Sequence, residues 1–240
     1  MYIMAEGDLP IVLIAHMDTV FNQPPKNIFY DPVETVLWSP SGLGADDRAG
    51  IYAIISLIND GFRPSVIFTN LEEQGGIGAN KLVEDYPDCP FSNCKALIEL
   101  DRRGSEDCVF YDCDNKDFEN LINLYDFKTD IGSFTDISFI MNTWKIAGVN
   151  LSVGYYFEHQ PIEILNTSHL DYTIERVRSM LIDCNEWQSY SYIPAINGVE
   201  KCACCGNPLK ILEGMIWNAG SEEDPQYITL CDNCYKTFIL

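Results

Sequence analysis

The sequence predicts an α/β fold, a three-layer sandwich in which helices cover both faces of a mostly parallel central sheet. Three observations lead to this prediction. Short apolar, β-branched runs alternate with segments of helical periodicity over residues 1–184. The chain has 240 residues, 47% of them hydrophobic, and can therefore bury a sizeable core. Two pairs of cysteines near the end indicate a small additional module. We expect a catalytic domain at residues 1–185, a linker at 186–199 and the module at 200–240.

Four short apolar runs predict the buried strands of the sheet. These runs are residues 11–15, 65–69, 96–100 and 149–153. Helices are predicted at residues 49–58 and 117–125, between the runs. Apolar residues at helical spacing behind the capping pair Thr167 and Ser168 predict a further helix. Such alternation is typical of a parallel sheet, because the chain must cross back between parallel strands.

The charge of the chain excludes several classes of partner. Fifteen Lys and Arg against 36 Asp and Glu give a formal net charge of −21. Nucleic acid and anionic membranes both require cationic protein surfaces, so we expect neither as a partner. The N-terminus has no positively charged stretch, and the apolar run at 11–15 is too short for an export signal or a membrane span. We therefore expect a cytoplasmic protein with reduced thiols.

Histidines and carboxylates follow the predicted strands, where each strand ends. They are His16 and Asp18 after the first strand, Glu72 and Glu73 after the second, Asp101 after the third and His159 after the fourth. Asp46 lies in a glycine-rich turn that opens a helix. Because the carboxyl ends of parallel strands share one edge of a sheet, we expect these side chains to converge. Imidazole and carboxylate ligands suit zinc, with manganese or cobalt as alternatives, and so many carboxylates suit two divalent ions bridged by one aspartate.

The same residues form an ordered series of motifs. The series is His16-x-Asp18, Gly44-Ala45-Asp46-Asp47-Arg48-Ala49-Gly50, Glu72-Glu73 followed by Gly75-Gly76, Asp101, and His159 with Glu163. It resembles the signature of the co-catalytic dizinc exopeptidases, an α/β clan of aminopeptidases, tripeptidases, carboxypeptidases and deacylases. The resemblance spans about residues 9–184 and implies a zinc-exopeptidase-like sandwich. The short gaps between the motifs imply a minimal catalytic domain without the lid insertion of many relatives.

The resemblance implies a metal-binding role for five of these residues. His16 and Asp101 would hold one metal ion, and Glu73 and His159 would hold the other. Asp46 would bridge the two ions. In a site of this kind the two ions are typically about 3.5–4 Å apart and lower the pKa of the water between them.

Two further carboxylates would assist the reaction. Asp18 would lie behind His16 and fix its tautomer. Glu72 would be the general base, because an unligated carboxylate beside the water can take its proton and deliver it to the leaving amine. The side chains of adjacent residues diverge, so Glu73 can bind metal while Glu72 faces the substrate.

Three other features have either two possible interpretations or no predicted role in the reaction. The run Gly132-Ser133-Phe134-Thr135-Asp136 resembles a Thr-Asp element of some aminopeptidases, and is either part of the substrate pocket or a helix cap. Asp47 either supports the metal ligands or places a favourable charge at a helix N-terminus. His169 begins a helix, matches no motif and is interpreted as structural.

The C-terminal module carries a pattern of its own. Cys202, Cys205, Cys231 and Cys234 form two C-x2-C pairs separated by 25 residues. This spacing is typical of a zinc ribbon with one structural zinc, whose binding would supply most of the folding energy of so short a segment. Acidic residues outnumber lysines in the module, so contact with a protein partner, homo-oligomer formation or simple attachment of the C-terminus is expected rather than nucleic-acid binding.

These features predict a metal-dependent exopeptidase that hydrolyses a peptide or amide bond with a water bridged by two metal ions. An aminopeptidase on short peptide or aminoacyl substrates is favoured, because an acidic surface suits a free α-ammonium group and no cluster of arginines is apparent for a substrate carboxylate. An N-acyl-amino-acid deacylase or a carboxypeptidase is the alternative among enzymes. A non-catalytic metal-binding adaptor that uses the zinc ribbon for protein contact is the alternative outside them.

Overall fold

The computed structural model describes residues 1–195, 215–218 and 227–230 of the chain. These residues divide between two units, Met1–Ile193 and Pro194–Leu240. The strands of the first unit are β1 (Tyr2–Ala5), β2 (Leu9–His16), β3 (Phe29–Asp31), β4 (Val36–Trp38), β5 (Pro64–Thr69), β6 (Ala96–Arg102), β7 (Asp107–Val109), β8 (Lys128–Thr129), β9 (Gly148–Ser152), β10 (Tyr155–Tyr156) and β11 (Ile164–Asn166). Its helices are α1 (Ala45–Asn59), α2 (Ile77–Asp85), α3 (Lys116–Asn123), α4 (Asp136–Trp144) and α5 (Thr167–Asp183), followed by a short 3₁₀ turn at Cys184–Glu186.

The larger sheet has seven strands in the order β1–β5–β2–β6–β9–β7–β8. Its four central strands, β5, β2, β6 and β9, run parallel to one another. Strand β1 pairs antiparallel with β5 at one edge, and β7 pairs antiparallel with β9 near the other. The central four include the predicted strands, the last of them shifted by one residue. The predicted mostly parallel sheet is confirmed.

Helices cover both faces of this sheet. Helix α1 packs on β2, β6 and α5, whereas α2 packs on α4. The crossover from β2 through α1 to β5 and that from β5 through α2 to β6 run in opposite directions along the sheet. Right-handed crossovers therefore place α1 and α2 on opposite faces. Residues 11–16 of β2 are all buried because the strand is flanked on both sides and covered on both faces.

Helix α1 shows why the sequence has small residues after the glycine-rich turn. Its buried face includes Ala49, Ala53 and Leu57, at helical spacing. A Cβ atom on Gly50 would lie 1.9 Å from the carbonyl oxygen of Leu100, so the helix packs directly against the end of β6. The first residues after the turn have non-helical dihedral angles, and the regular helix begins close to the predicted residue 49.

A second, four-stranded sheet in the order β10–β11–β4–β3 does not follow from the sequence pattern. Its strands are two or three residues long and antiparallel, too short to show an alternation. The loop between β10 and β11 carries His159 and Glu163. The small sheet therefore anchors both ends of this loop.

The segment after α5 and the second unit complete the described residues. Trp187 and Tyr190 are buried. The Tyr190 carbonyl oxygen accepts the backbone N–H of Ala147, and the Tyr190 N–H donates to the Lys95 carbonyl oxygen, so this part of the predicted linker belongs to the first unit. In the second unit, β12 (Met215–Asn218) and β13 (Tyr227–Leu230) pair antiparallel. The four cysteines of the predicted zinc ribbon lie outside the described residues. Within the described ranges, no helix has both the length and the apolar character needed to cross a membrane.

Candidate metal centre

The side chains that follow the strands converge at one edge of the larger sheet. His16 is the last residue of β2, and Asp101 lies near the end of β6. Glu73 lies in the turn after β5, Asp46 at the start of α1, and His159 between β10 and β11. The parallel pairing of β2 with β5 and β6 brings the carboxyl ends of these strands together.

The Asp46 carboxylate lies between the two histidines. Its Oδ1 atom is 2.9 Å from Nε2 of His16, and its Oδ2 atom is 3.2 Å from Nε2 of His159. Asp101 Oδ1 lies 3.5 Å from Nε2 of His16, and Glu73 Oε2 lies 3.0 Å from Nε2 of His159. We call His16 and Asp101 the inner pair, and Glu73 and His159 the outer pair. The two pairs meet at opposite oxygens of one carboxylate.

The inner and outer pairs differ in exposure to solvent. His16 is 2% exposed and the Asp101 side chain 7%. The Glu73 side chain is also shielded, but that of His159 is 52% exposed. The inner pair is thus enclosed by the sheet, whereas the outer pair opens to solvent through His159.

The donor atoms of the cluster fit a divalent cation. One donor atom each of His16, Asp46 and Glu73 lies within 4.8 Å of the other two. Oε1 of Glu73 is buried and has no hydrogen-bond partner among the described residues. A buried carboxylate oxygen without a partner costs free energy, which a bound cation would offset. Imidazole nitrogens with carboxylate oxygens form a set that zinc prefers.

The pKa values in the cluster reflect its crowded carboxylates. Burial opposes a charge on His16, but the Asp101 carboxylate and its neighbours raise the pKa of His16 well above its ordinary value. Burial acts against the charge of Asp46 as well, yet hydrogen bonds with the two histidines lower its pKa. Burial raises the pKa of Glu73 to about 7, and the hydrogen bond with Asp46 raises that of His159 to about 9. A divalent ion would displace the protons that these groups hold near neutral pH.

Glu72 faces a different environment from its neighbour Glu73. Glu73 contacts His159, whereas Glu72 lines the open cleft beside the cluster. Burial, together with Asp101 and other carboxylates, raises the pKa of Glu72 to about 8. A carboxyl group that titrates near neutral pH is suited to both accept and donate a proton.

Asp18 contacts both His16 and the turn after β5. Its Oδ1 atom lies 3.4 Å from Nδ1 of His16. Its two carboxylate oxygens also accept the backbone N–H groups of Glu72 at 3.1 Å and Glu73 at 3.2 Å. The second set of contacts does not follow from the sequence, because it joins segments more than 50 residues apart. Asp18 thereby contacts His16 of the inner pair and also holds the backbone of Glu73 of the outer pair.

Two further acidic side chains hold the turn that presents Asp46. The Glu163 carboxylate accepts the backbone N–H of Asp46 at 3.1 Å. The buried Asp47 carboxylate accepts the backbone N–H groups of His16 at 3.3 Å and Gly50 at 2.9 Å. The peptide bond between Asp46 and Asp47 is cis. Asp47 therefore connects the end of β2 to the start of α1, which is a supporting role.

The Thr-Asp element combines the two interpretations that the sequence leaves open. Thr135 begins α4 in a capping box with Ser138, and it also lines the cleft. Its hydroxyl donates a hydrogen bond to Oδ2 of Asp101 at 3.0 Å. The buried Asp136 carboxylate accepts a hydrogen bond from the Thr69 hydroxyl at the end of β5. The element caps a helix and at the same time orients a residue of the inner pair.

Asp101 is held by two more residues that the sequence does not single out. The Asn150 side chain exchanges hydrogen bonds of 2.9 and 3.0 Å with the Asp101 backbone. The Tyr155 hydroxyl lies 3.1 Å from Oδ1 of Asp101. The sequence could have indicated Asn150, because it is an amide within an otherwise largely apolar strand. It could not have indicated Tyr155, because the contact of this residue depends on the small sheet.

A cleft of about 330 Å³ opens beside the cluster. Its walls include Glu72, Thr135 and Tyr111, and also the two arginines that follow Asp101, Arg102 and Arg103. The sequence shows no obvious cluster of arginines for a substrate carboxylate, whereas in the structure two arginines line one cleft. The arginines are adjacent in sequence and diverge at the end of β6, and the sequence alone does not show that both reach the same cleft.

The chain resembles known peptidases in both sequence and fold. Residues 3–126 match the model of peptidase family M28. No sequence among the curated proteins matches the chain. The structure is similar to aminopeptidase PepT from Bacillus cereus, with 15% identity, coverage of 77% of this chain and 84% of that chain, and a TM-score of 0.61.

Two other solved structures show the same fold. For a tripeptidase from Staphylococcus aureus the identity is 15%, the coverage 78% of this chain and 84% of that chain, and the TM-score 0.62. For the TET1 peptidase of Pyrococcus horikoshii the identity is 19%, the coverage 65% of this chain and 53% of that chain, and the TM-score 0.50. The family match covers just over half of the chain, and the fold agrees with it. The chain belongs to peptidase family M28 and is a metallopeptidase.

Proposed function

We propose that the protein is an aminopeptidase that removes the N-terminal residue of short peptides with the help of two divalent metal ions. The observation that carries this proposal is the position of Asp46, whose two carboxylate oxygens face the inner and the outer pair separately. His16 and Asp101 would hold one ion, Glu73 and His159 the other, and Asp46 both. When bound, such ions polarise the scissile carbonyl and lower the pKa of water.

The chain's own residues supply the proton transfers. Glu72 lines the cleft, and its ionised carboxylate would receive the proton of the attacking water at a side-chain oxygen. Burial and neighbouring carboxylates raise the pKa of Glu72 to about 8 in the metal-free protein, and bound divalent ions would favour the ionised form. The same carboxyl group would then donate this proton to the nitrogen of the leaving amine. Asp18 holds the backbone of Glu72 in place through the N–H group of that residue. Thr135 and Tyr155 fix the orientation of Asp101.

The net charge of −21 favours an approaching α-ammonium group and so supports action at the amino end. The cleft of about 330 Å³ suits a small ligand such as a short peptide. We also propose residues 1–185 as the catalytic domain and 200–240 as a zinc ribbon that contacts a protein partner. That second proposal depends on the cysteine spacing alone.

The proposal is tested with dipeptides and tripeptides as substrates of the zinc-, manganese- or cobalt-loaded protein. We expect Glu72→Gln to lower kcat by about 10²–10⁴-fold with the metal content unchanged. Glu84→Gln, on the exposed face of α2, is the matched control and should retain full activity. N-acetylation of the substrate should abolish cleavage.

Other outcomes would contradict the proposal. Absence of turnover with every metal, or turnover that Glu72→Gln leaves unchanged, would exclude the assigned mechanism. Cleavage that requires the acyl group would identify a deacylase. Cleavage that tolerates N-acetylation and releases the C-terminal residue would identify a carboxypeptidase.

A further inference from the structure

The wall of the cleft beside the cluster carries groups of both charges. Asp46, Glu72 and Asp101 line it, and so do Arg102 and Arg103. In a chain with 36 acidic and 15 basic residues, two adjacent arginines in one cleft are an unexpected concentration of basic groups.

Arg102 is held in place but retains free donors. Its Nη2 atom donates to the Asp130 carboxylate at 2.6 Å and to the Ile131 carbonyl oxygen at 3.3 Å. The side chain is only 15% exposed. Its Nε atom is buried and has no hydrogen-bond partner among the described residues. Nε is shielded from a ligand, but Nη1 has no hydrogen-bond partner among the described residues and is not buried, so it can donate to a ligand oxygen.

Arg103 provides a second, more exposed donor group. Its side chain is 58% exposed, and its Nη1 atom donates to the Glu158 carboxylate at 2.7 Å. Glu158 precedes His159 and lines the same cleft. An ion pair this exposed contributes little stability, so an incoming anion can share or replace it at small cost.

We propose that Arg102 and Arg103 bind a carboxylate of the substrate and orient the peptide with its other end towards the metal centre. Guanidinium groups match the planar, two-oxygen geometry of a carboxylate. The carboxylate is either the free C-terminus of a short peptide or an acidic side chain. This inference rests on the proposed function, since it assumes a peptide in the cleft.

The test compares three substrates of the metal-loaded protein. They are a neutral tripeptide with a free C-terminus, the same tripeptide amidated at its C-terminus, and an amidated tripeptide that contains one glutamate. We expect the free acid to have a kcat/KM about 10- to 100-fold above that of the neutral amide, as for a charge-assisted hydrogen bond. If the glutamate raises kcat/KM of the amide to that of the free acid, an acidic side chain is an equivalent source of the carboxylate. Equal rates for all three substrates would overturn the proposal.

The variants separate a binding role from a structural one. Arg103→Gln should reduce the ratio of kcat/KM for the free acid to that for the neutral amide, mainly through KM of the free acid. Arg103→Lys should retain part of the preference because the charge remains. Arg178→Gln, on the outer surface of α5, is the control and should leave the preference unchanged. Loss of stability would lower the rates on the free acid and on the neutral amide together and would leave their ratio unchanged. If Arg103→Gln keeps the wild-type ratio, the proposal is contradicted. This test does not require that Arg102 variants fold.

A binding experiment keeps this inference distinct from the proposed function. Calorimetry with the metal-loaded Glu72→Gln protein measures the affinity for the free acid and for the neutral amide without turnover. Tighter binding of the acid supports the arginine site even if the wild-type protein hydrolyses neither peptide. Equal affinities overturn it even if the wild-type protein is an active aminopeptidase.

Discussion

The inner and outer pairs contain the same chemical groups, one imidazole and one carboxylate, but are built in different ways. His16 and Asp101 lie on neighbouring parallel strands, and Asp101 is also held by Asn150 and Tyr155. Glu73 and His159 lie on a turn and a loop, and the His159 side chain is 52% exposed. The comparison indicates that the inner pair is part of the folded core, whereas the outer pair is an addition to it. If the two pairs each hold a metal ion, the outer ion should exchange more easily.

The largest expected effect comes from the residue that the two pairs share. Asp46→Asn removes a negative charge from both sides of the cluster, so we expect both ions to be lost. Activity should fall by about 10³-fold or more, because loss of the metals removes several kcal/mol of transition-state stabilisation. Metal analysis and kcat measurements on the variant test this. A variant that keeps one tightly bound ion would show that the pairs are independent of Asp46.

The two histidines should differ in their effect on the folding of the metal-free protein. His16→Ala leaves buried carboxylates without their partner, and we expect the free energy of unfolding to fall by about 3 kcal/mol. His159→Ala removes a half-exposed side chain and should cost at most about 1 kcal/mol. Urea unfolding of both variants in the presence of a chelator gives the two values. Equal losses would contradict the distinction between a core pair and an added pair.

The stability of the metal-free protein should decrease as the pH rises. Burial raises the pKa of Glu72 from 4.5 to about 8 and that of Glu73 to about 7, and the hydrogen bond with Asp46 raises that of His159 from 6.5 to about 9. In each case the folded state binds the proton more tightly than the unfolded state. The stabilisation from these protons is therefore complete below the unfolded pKa and is lost between about pH 4.5 and 9.

Thermal unfolding at several pH values measures this dependence. We expect Tm of the chelated protein to fall by roughly 5 °C across the range, and Tm of the zinc-loaded protein to rise, because metal competes with protons for the same groups. A chelated protein whose Tm rises between pH 5 and 9 would contradict the assigned pKa shifts.

The smallest effect concerns the support of the inner pair. Tyr155→Phe removes the hydroxyl 3.1 Å from Oδ1 of Asp101, and the affinity for the inner ion should fall about tenfold. Tyr156→Phe is the matched control, because the Tyr156 hydroxyl contacts Nδ1 of His169 instead of the cluster. Competition with a chromophoric chelator measures both affinities. Equal effects of the two substitutions would show that Tyr155 does not act through Asp101.

The inner pair and its strands could be predicted from sequence because each signal is local. An apolar run such as residues 11–15 identifies a buried strand, and the parallel order of the strands places His16 and Asp101 at one edge. Features that join distant segments were not accessible in this way. The hydrogen bond from Tyr155 to Asp101 spans 54 residues and depends on strands of two or three residues that show no periodicity.

The arginines of the cleft are a second feature that the sequence alone does not predict. Arg102 and Arg103 appear in the sequence as two charges after a strand, a pattern that solvent-exposed residues often show. Their shared position in the cleft depends on the loop at residues 131–135 and on Glu158, which the fold brings to the same place. No spacing rule predicts such an arrangement, so the proposed carboxylate site could be recognised only in the structure.

The proposed bridging of two metal ions by Asp46, one ion in each pair, can be tested by X-ray diffraction from crystals of the zinc-loaded protein. The data are recorded on both sides of the zinc absorption edge. We predict two anomalous peaks in the cluster, one bonded to His16 and Asp101 and one to Glu73 and His159, each bonded to one Asp46 oxygen. A single peak, or peaks that do not contact Asp46, would contradict the bridging role of Asp46.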